Sequence, residues 1–315
     1  MDSFEPRSIE EVLSRTSVEH LQLAKGRFLG QVMRAKFSIS TLDWGSYNLP
    51  LLATAGMPTD RVTLGFVLAG DGESLMNGKV FSGPAAVLFA EETELYYRLA
   101  PNTQWLAFQV ERSLLERIGL SVSRGFAGPI GKPSTGIRQL NQNLQDTLAV
   151  LRSMAGSIPD PGVPNPIACM KQAEAHLFDL LVSACTSAQP GPVNDRRHRS
   201  EATRLARSAT DYILVHMAEP LRIATICCKL DCDLKSLERA FHIVHGRAPR
   251  QFLTLVRLNK ARQLLLDGNG RHSVTDIATA CGIQHLGRFA QQYYLWFGER
   301  PSETFSRSML SGNRT

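Results

Sequence analysis

The sequence predicts a two-domain α+β protein: a small N-terminal β-barrel or double-sheet jelly roll with trailing helices, then an all-α C-terminal domain. Three observations carry that prediction. Residues 27–111 break into short apolar or alternating runs separated by turn tripeptides. A stretch rich in Pro, Gly, Ser and charge, "TSAQPGPVNDRRHRS" (186–200), divides this half from one that reads helical throughout. Within the helical half, one segment repeats another after 52 residues. The expected boundaries are 1–186 for the first domain, 187–199 for the linker and 200–315 for the second.

The strand runs are "RVTLGFVLAG", "PAAVLFA", "ELYYRLA" and "TQWLAFQVE", punctuated by "DGE", "NGK", "SGP" and "APN". Helices are expected at 111–118, 137–153 and 166–186. The last, "PIACMKQAEAHLFDLLVSAC", has an apolar face through Ile167, Met170, Ala173, Leu177, Leu180 and Leu181. That face packs on the barrel or on a second copy of the chain, and the sequence does not choose between them.

Bulk composition narrows the partners. At 315 residues there is chain enough for two cores. The N-terminus, "MDSFEPRSIEEV", is polar and acidic, unlike a signal or transit peptide, and no apolar run approaches bilayer-spanning length. A soluble, cytoplasmic protein without a membrane partner is the expectation. The net charge of +6 hides an asymmetry: residues 1–189 hold 16 Lys and Arg against 18 Asp and Glu, and residues 190–315 hold 19 against 11. A polyanion is the expected partner of the second part only; a solvated basic surface is the alternative. Six cysteines form no disulfide pattern, and Cys227, Cys228 and Cys232 lack a second metal-ligand pair; Cys227 and Cys232 fit apolar helix positions, so those two are expected as buried thiols, with no metal or cofactor.

The repeat matches "LERAFHIVHGRAP" (237–249) to "FAQQYYLWFGERP" (289–301), pairing Leu237 with Phe289, Phe241 with Tyr293, Gly246 with Gly298 and Pro249 with Pro301. A short amphipathic helix and a tight turn precede each copy, which is a helix–turn–helix plan used twice. In the second copy Leu286, Phe289, Ala290, Tyr293 and Phe297 make one helical stripe, expected to anchor. His285, Arg288, Gln291, Gln292 and Leu295 fall on the other side, expected to be displayed. Gly298 ends this helix and Pro301 starts the next.

These residues carry a family resemblance. Residues from about 200 to 309 resemble the DNA-binding domain of AraC/XylS-family bacterial transcription regulators, and "DIATACG…HLGRFAQQYYLWFGERPSETF" is close to that family's C-terminal signature. The "HLGRFA" and "FGERPSETF" elements are most similar to regulators of ethanolamine use and of benzoate or toluate degradation. The resemblance implies a cupin-like sensing and dimerising N-terminal barrel with trailing helices, and a C-terminal domain of two helix–turn–helix units joined by a long helix, "PRQFLTLVRLNKARQLLLDG" (249–268). It further implies a transcription activator, with double-stranded DNA, RNA polymerase, a second copy of the chain and a possible small-molecule effector as partners.

In the second unit, Ser273 with Asp276 makes a capping-box-like start, Gly282 the turn, and 284–297 the reading segment. It offers Gln284, His285, Arg288 and Gln291; Arg can bind guanine bidentately and Gln can pair with adenine. The resemblance implies that Arg288 and Gln291 approach bases. The first unit departs from the family pattern. Asp231 stands at the turn glycine, a position Asp tolerates, and Arg222 stands at the cap. Its reading helix would begin at Asp233 and offer Lys235, Ser236, Glu238 and Arg239. A solvated helix face is the bland alternative for both sets.

Two rivals complete the sequence reading. A metal-dependent cupin enzyme would need clustered histidines, yet the eight stand at 20, 176, 198, 216, 242, 245, 272 and 285, and none lies at 21–175. No catalytic set is therefore expected. The other rival is a ligand-independent architectural or repressor-type DNA binder. Trp44, Tyr47, Phe66, Phe81, Phe89, Tyr96, Tyr97 and Trp105 could line an effector pocket, although most fit a core better.

Overall fold

The computed structural model describes residues 18–76, 79–82, 84–89, 94–120, 127–129, 166–187, 197–267 and 272–312. The helix expected at 137–153 lies outside them. The N-terminal strands are β1 (Val18–Gln22), β2 (Gly30–Lys36), β3 (Ser40–Tyr47), β4 (Leu51–Gly56), β5 (Arg61–Ala69), β6 (Glu73–Met76), β7 (Lys79–Ser82), β8 (Ala85–Phe89), β9 (Glu94–Leu99), β10 (Thr103–Glu111) and β11 (Ala127–Pro129). They pair into a five-stranded sheet, β1-β4-β9-β6-β7, and a six-stranded sheet, β11-β8-β5-β10-β3-β2.

Of the two expected architectures, the double sheet is observed and a closed barrel is not. Among the described strands no pairing joins the two sheets. Each sheet is covered on both faces. In β5, Val62, Leu64, Phe66 and Leu68 point one way, while Thr63, Gly65 and Val67 point the other, as a period of two requires. The first set packs outward with Leu42, Trp44, Leu106 and Phe108. The second faces an interior shared with Leu51, Leu95 and Leu99 of the five-stranded sheet.

Helix α1 (Arg112–Arg117) follows β10, and α2 (Pro166–Ser187) covers the outer face of the six-stranded sheet. Leu177, Leu181 and Ala184 are buried there, each leucine contributing roughly 1.5–3 kcal/mol. Glu174 fixes the register: it accepts hydrogen bonds from Ser40 Oγ at 2.6 Å and from the Ile39 amide at 3.4 Å. This settles the destination of the apolar face for those residues. It packs within the chain, so it is not free to form the expected dimer contact.

The remaining elements are helical: α3 (Arg197–His216), α4 (Ile223–Lys229), α5 (Leu234–His245), α6 (Pro249–Asp267), α7 (Val274–Ala280), α8 (Leu286–Phe297) and α9 (Pro301–Gly312). Helix α3 starts three residues inside the stretch read as linker. Helix α6 serves two cores. Phe252, Leu253, Leu255 and Val256 belong to one cluster with α3, α4 and α5; Leu258, Ala261 and Leu265 belong to another with α7 and α8.

Candidate nucleic-acid interface

The two helical units are built alike, with one difference in the turn. Gly246 and Gly298 close α5 and α8 in the left-handed region, at φ 67° and 73°. These are the conformations for which glycine has no steric cost. Helices α4 and α7 stand 51 residues apart and α5 and α8 stand 52 apart, so the second turn is one residue longer.

Asp231 takes φ 48° and Gly282 takes φ 72°, so the aspartate does hold the left-handed turn. Asp233 caps α5 by accepting from the Ser236 amide at 2.8 Å and the Ser236 hydroxyl at 2.7 Å, which holds its carboxyl below the usual range. In the second unit Ser273 and Asp276 form the reciprocal capping box expected of them. Arg222 gives α4 no side-chain cap.

All eight residues expected to read bases are exposed. Lys235, Ser236, Glu238 and Arg239 occupy the first half of α5; Arg288 and Gln291 lie on α8. Two details differ from the sequence reading. Helix α8 begins at Leu286, so His285 is its N-cap residue and Gln284 belongs to the turn. Ser236 already gives its hydroxyl to Asp233. Lys229 and Arg250 are exposed as well.

The anchoring stripe is shorter than expected. Phe289, Tyr293 and Phe297 are buried, but Leu286 is 41% exposed, because the helix runs past its core at the N-terminal end, and Ala290 is exposed at the edge of the stripe. Tyr293 donates to Thr304 Oγ1 at 2.9 Å, and the buried Arg262 lies 4.6 Å from the Phe297 ring and 2.8 Å from Glu299. Burial works to raise the Glu299 carboxyl, but Arg307, Thr304 and Arg262 together hold it low.

Position 245, the counterpart of Phe297, holds a histidine instead. His245 stacks on Phe252 at 4.3 Å, and its Nε2 lies 3.0 Å from both the Tyr96 hydroxyl on β9 and the Thr210 hydroxyl on α3. Burial first, then Arg247 and Arg98, push its pKa down to about 3.

Sequence reasoning missed the residues that hold the units in place. A Cβ on Gly282 would sit 2.6 Å from the Met217 carbonyl oxygen and 2.8 Å from that of Ala218, so the second turn rests directly on the chain leaving α3. Arg257 of α6 donates to the Met217 carbonyl at 2.8 Å and to the Glu219 carbonyl at 2.7 Å. The N-terminal part also grips both units. Gly26 donates to the Trp296 carbonyl on α8 at 2.8 Å, Asn259 Oδ1 accepts from the Gln22 amide at 3.1 Å, and Arg247 donates to the Leu23 carbonyl at 2.6 Å. Only the turn glycine and the basic excess hinted at any of this.

A second feature lies between the sheets. A cavity of about 110 Å³ has walls including Val67, Phe89, Leu95, Tyr97 and Trp105. Of the eight aromatic residues considered for a pocket, Phe81, Phe89, Tyr97 and Trp105 line it with Phe66, whose side chain packs on the outer face; Trp44, Tyr47 and Tyr96 are core. Among the described residues no group of three or more His, Cys, Asp or Glu could hold a metal, and Cys227, Cys228 and Cys232 are free thiols, the first and last half-buried. No described helix is long and apolar enough to cross a membrane.

Two capped helix–turn–helix units on one bridging helix define a class of DNA-binding domain. Residues 226–307 match the family model described as a helix-turn-helix domain. The chain is 32% identical over 151 residues to the "Probable thc operon regulatory protein" of Rhodococcus erythropolis, covering 46% of this chain and 43% of that one. It is 38% identical over 71 residues to the "XylDLEGF operon transcriptional activator" of Pseudomonas putida, 22% of each. A solved "probable AraC family transcriptional regulator" from Rhodopseudomonas palustris CGA009 is 34% identical, covers 33% of this chain and 97% of its own, and gives a TM-score of 0.32. The chain spans less than half the length of these curated relatives. Residues 226–307 thus carry the helix-turn-helix domain found in AraC-type regulators, and the matched proteins are transcription regulators rather than enzymes.

Proposed function

We propose that the protein is a sequence-specific transcription activator that reads two successive major grooves with α5 and α8 and is modulated by a small molecule held between its N-terminal sheets. The observation that carries this reading is the pair of like-built units on α6, each with its polar face exposed. At 1.5 Å per residue, the 19 residues of α6 span about 28 Å, of the order of one DNA turn, about 34 Å. Arg288 and Gln291 in one unit, with Lys235, Glu238 and Arg239 in the other, supply groups that pair with base edges. Gln284, His285 and Ser236 flank them as further contacts.

Modulation is supported by the five-stranded sheet, which is the one layer between the cavity and the helical units. On β4, Leu51 and Ala53 face the inter-sheet core and Leu52 faces the helices; on β9, Leu95 and Tyr97 face inward and Tyr96 meets His245. A molecule that shifts this sheet shifts Tyr96 against α5 and the Gln22–Gly26 loop against α8. Both reading faces stay exposed with the loop docked, so regulation acts through orientation rather than by covering them. Domain limits of 1–186 and 200–315, a cupin-like sensing role, a cytoplasmic location, contact with RNA polymerase and homodimerisation belong to the same reading. A dimer would use a surface other than Leu177 and Leu181.

The test is binding of Arg288→Ala to the cognate site and to a scrambled duplex at fixed salt, the site being found by footprinting upstream of neighbouring genes. Loss of about 1–3 kcal/mol on the cognate site alone is expected, with relaxed preference at one base position. Equal loss on both duplexes would reduce Arg288 to a phosphate contact.

A further inference from the structure

We infer that the cavity between the sheets takes a neutral molecule about the size of one substituted ring, whose single hydrogen-bonding group is read by Thr63. The inference rests on the reading that this region senses a small molecule, and adds its chemical class. The floor of the cavity is ordered by strand register. Thr63 of β5 pairs with Gln109 of β10, and Gly65 pairs with Ala107. The two small residues leave a hollow beside the polar pair.

Rings bound that hollow. A Cβ on Gly65 would meet the Phe89 ring at 2.9 Å, and one on Gly45 would meet the Trp105 indole at 2.5 Å, so both rings lie close against bare backbone. Leu95, Tyr97 and Leu99 of the other sheet face them. The volume of about 110 Å³ approaches the roughly 150 Å³ of an apolar cavity that takes up benzene.

Charge and hydrogen bonding narrow the class. No Lys, Arg or His is among the described residues lining the cavity, and its one carboxylate, Asp43, already has both oxygens on Arg34, at 2.6 and 2.8 Å. An anion would enter without a counter-ion and beside a carboxylate, which strongly disfavours it. Thr63 is 1% exposed, and its hydroxyl oxygen, like the Trp105 Nε1 that lies against the Gly45 backbone, has no hydrogen-bond partner among the described residues. A buried hydroxyl in that state favours a ligand that completes it.

The experiment titrates the full chain with phenol, toluene and benzoate at pH 7, reading the thermal shift, with DNA retention measured in parallel. Phenol is expected to bind about tenfold more tightly than toluene, as one hydrogen bond allows, and benzoate not to bind. Thr63→Val, which breaks no bond within the protein, should bring phenol down to toluene. Ala107→Leu should exclude both. The inference is overturned if benzoate binds as well as phenol, if the phenol preference survives Thr63→Val, if Ala107→Leu still takes up phenol, or if no probe binds. Any of these with DNA binding intact leaves the regulator reading standing; a chain that takes up phenol as described yet binds no DNA overturns that reading instead.

Discussion

Replacing Gly282 with alanine tests whether the second unit is seated on the first. The residue sits at φ 72°, where an L side chain costs about 1–2 kcal/mol. The added Cβ would lie 2.6 and 2.8 Å from two backbone carbonyl oxygens, which cannot rotate away as a side chain can. Overpacking of that kind costs about 1–3 kcal/mol. Together they give about 2–5 kcal/mol, which the chain can relieve only by moving α7 off the end of α3. Asp231→Gly is the matched control: it removes left-handed strain from the first turn but loosens the unfolded chain, leaving stability within about 1 kcal/mol. The assay is denaturant unfolding of both variants, with DNA binding to sites carrying both half-sites or one. Gly282→Ala should unfold early and lose more affinity on the double site than on the second unit's half-site. Unfolding within about 1 kcal/mol of the parent, with unchanged double-site affinity, would refute the argument that this carbonyl contact sets the geometry.

Two further perturbations separate folding from reading. Phe289→Ala, next to Arg288 but 2% exposed, should destabilise the second unit by about 3–5 kcal/mol, and circular dichroism that matches Arg288→Ala would contradict the core assignment. For His245, whose pKa falls from 6.5 to about 3 on burial, the unfolded chain takes up the proton first. Its contribution is therefore full above pH 6.5 and drains away as pH drops towards 3, by up to about 1.4 kcal/mol per pH unit. His245→Phe should flatten that acid limb of the stability curve; His20, also pushed down to about 3, leaves a residual slope of the same sign.

What could be read in advance was what short-range chemistry specifies. Gly246, Gly298 and the Ser273–Asp276 pair announced helix ends because few residues suit those positions, and Asp231 was recognisable as a tolerable substitute for a turn glycine. The exposure of Arg288, Gln291, Lys235 and Glu238 followed from helical spacing. Leu286 and Ala290 misled because periodicity gives the direction of a face but not where its core stops, as at Leu286, or how wide it is, as at Ala290. The partner of the α2 face was undetermined because a sheet and a second chain ask for the same leucines. Gln22, Gly26 and Arg257 had no pattern at all: Gly26 and Arg257 act on backbone carbonyls far away in sequence and Gln22 through its own main-chain amide, and main-chain groups carry no sequence signature.

Under the proposed function, the placement of those contacts bears on how two weak readers would become one strong one. Linked binding gains affinity only when the second unit already lies where its groove will be; a loose tether loses most of that gain to orientational freedom. Here α6 sets the distance, while Gly282 and Arg257 fix the rotation by holding the second unit to the end of α3. The Gln22–Gly26 loop is the third constraint, because it holds Asn259 on the bridging helix and Trp296 on the reading helix at once. Under the proposed function the first two constraints are permanent and the third is the adjustable one, being the only one of the three that comes from the sheet lining the cavity. A ligand then needs to change no base contact to change occupancy: a shift of 1.4 kcal/mol in how well α8 is pre-aimed is about tenfold in affinity.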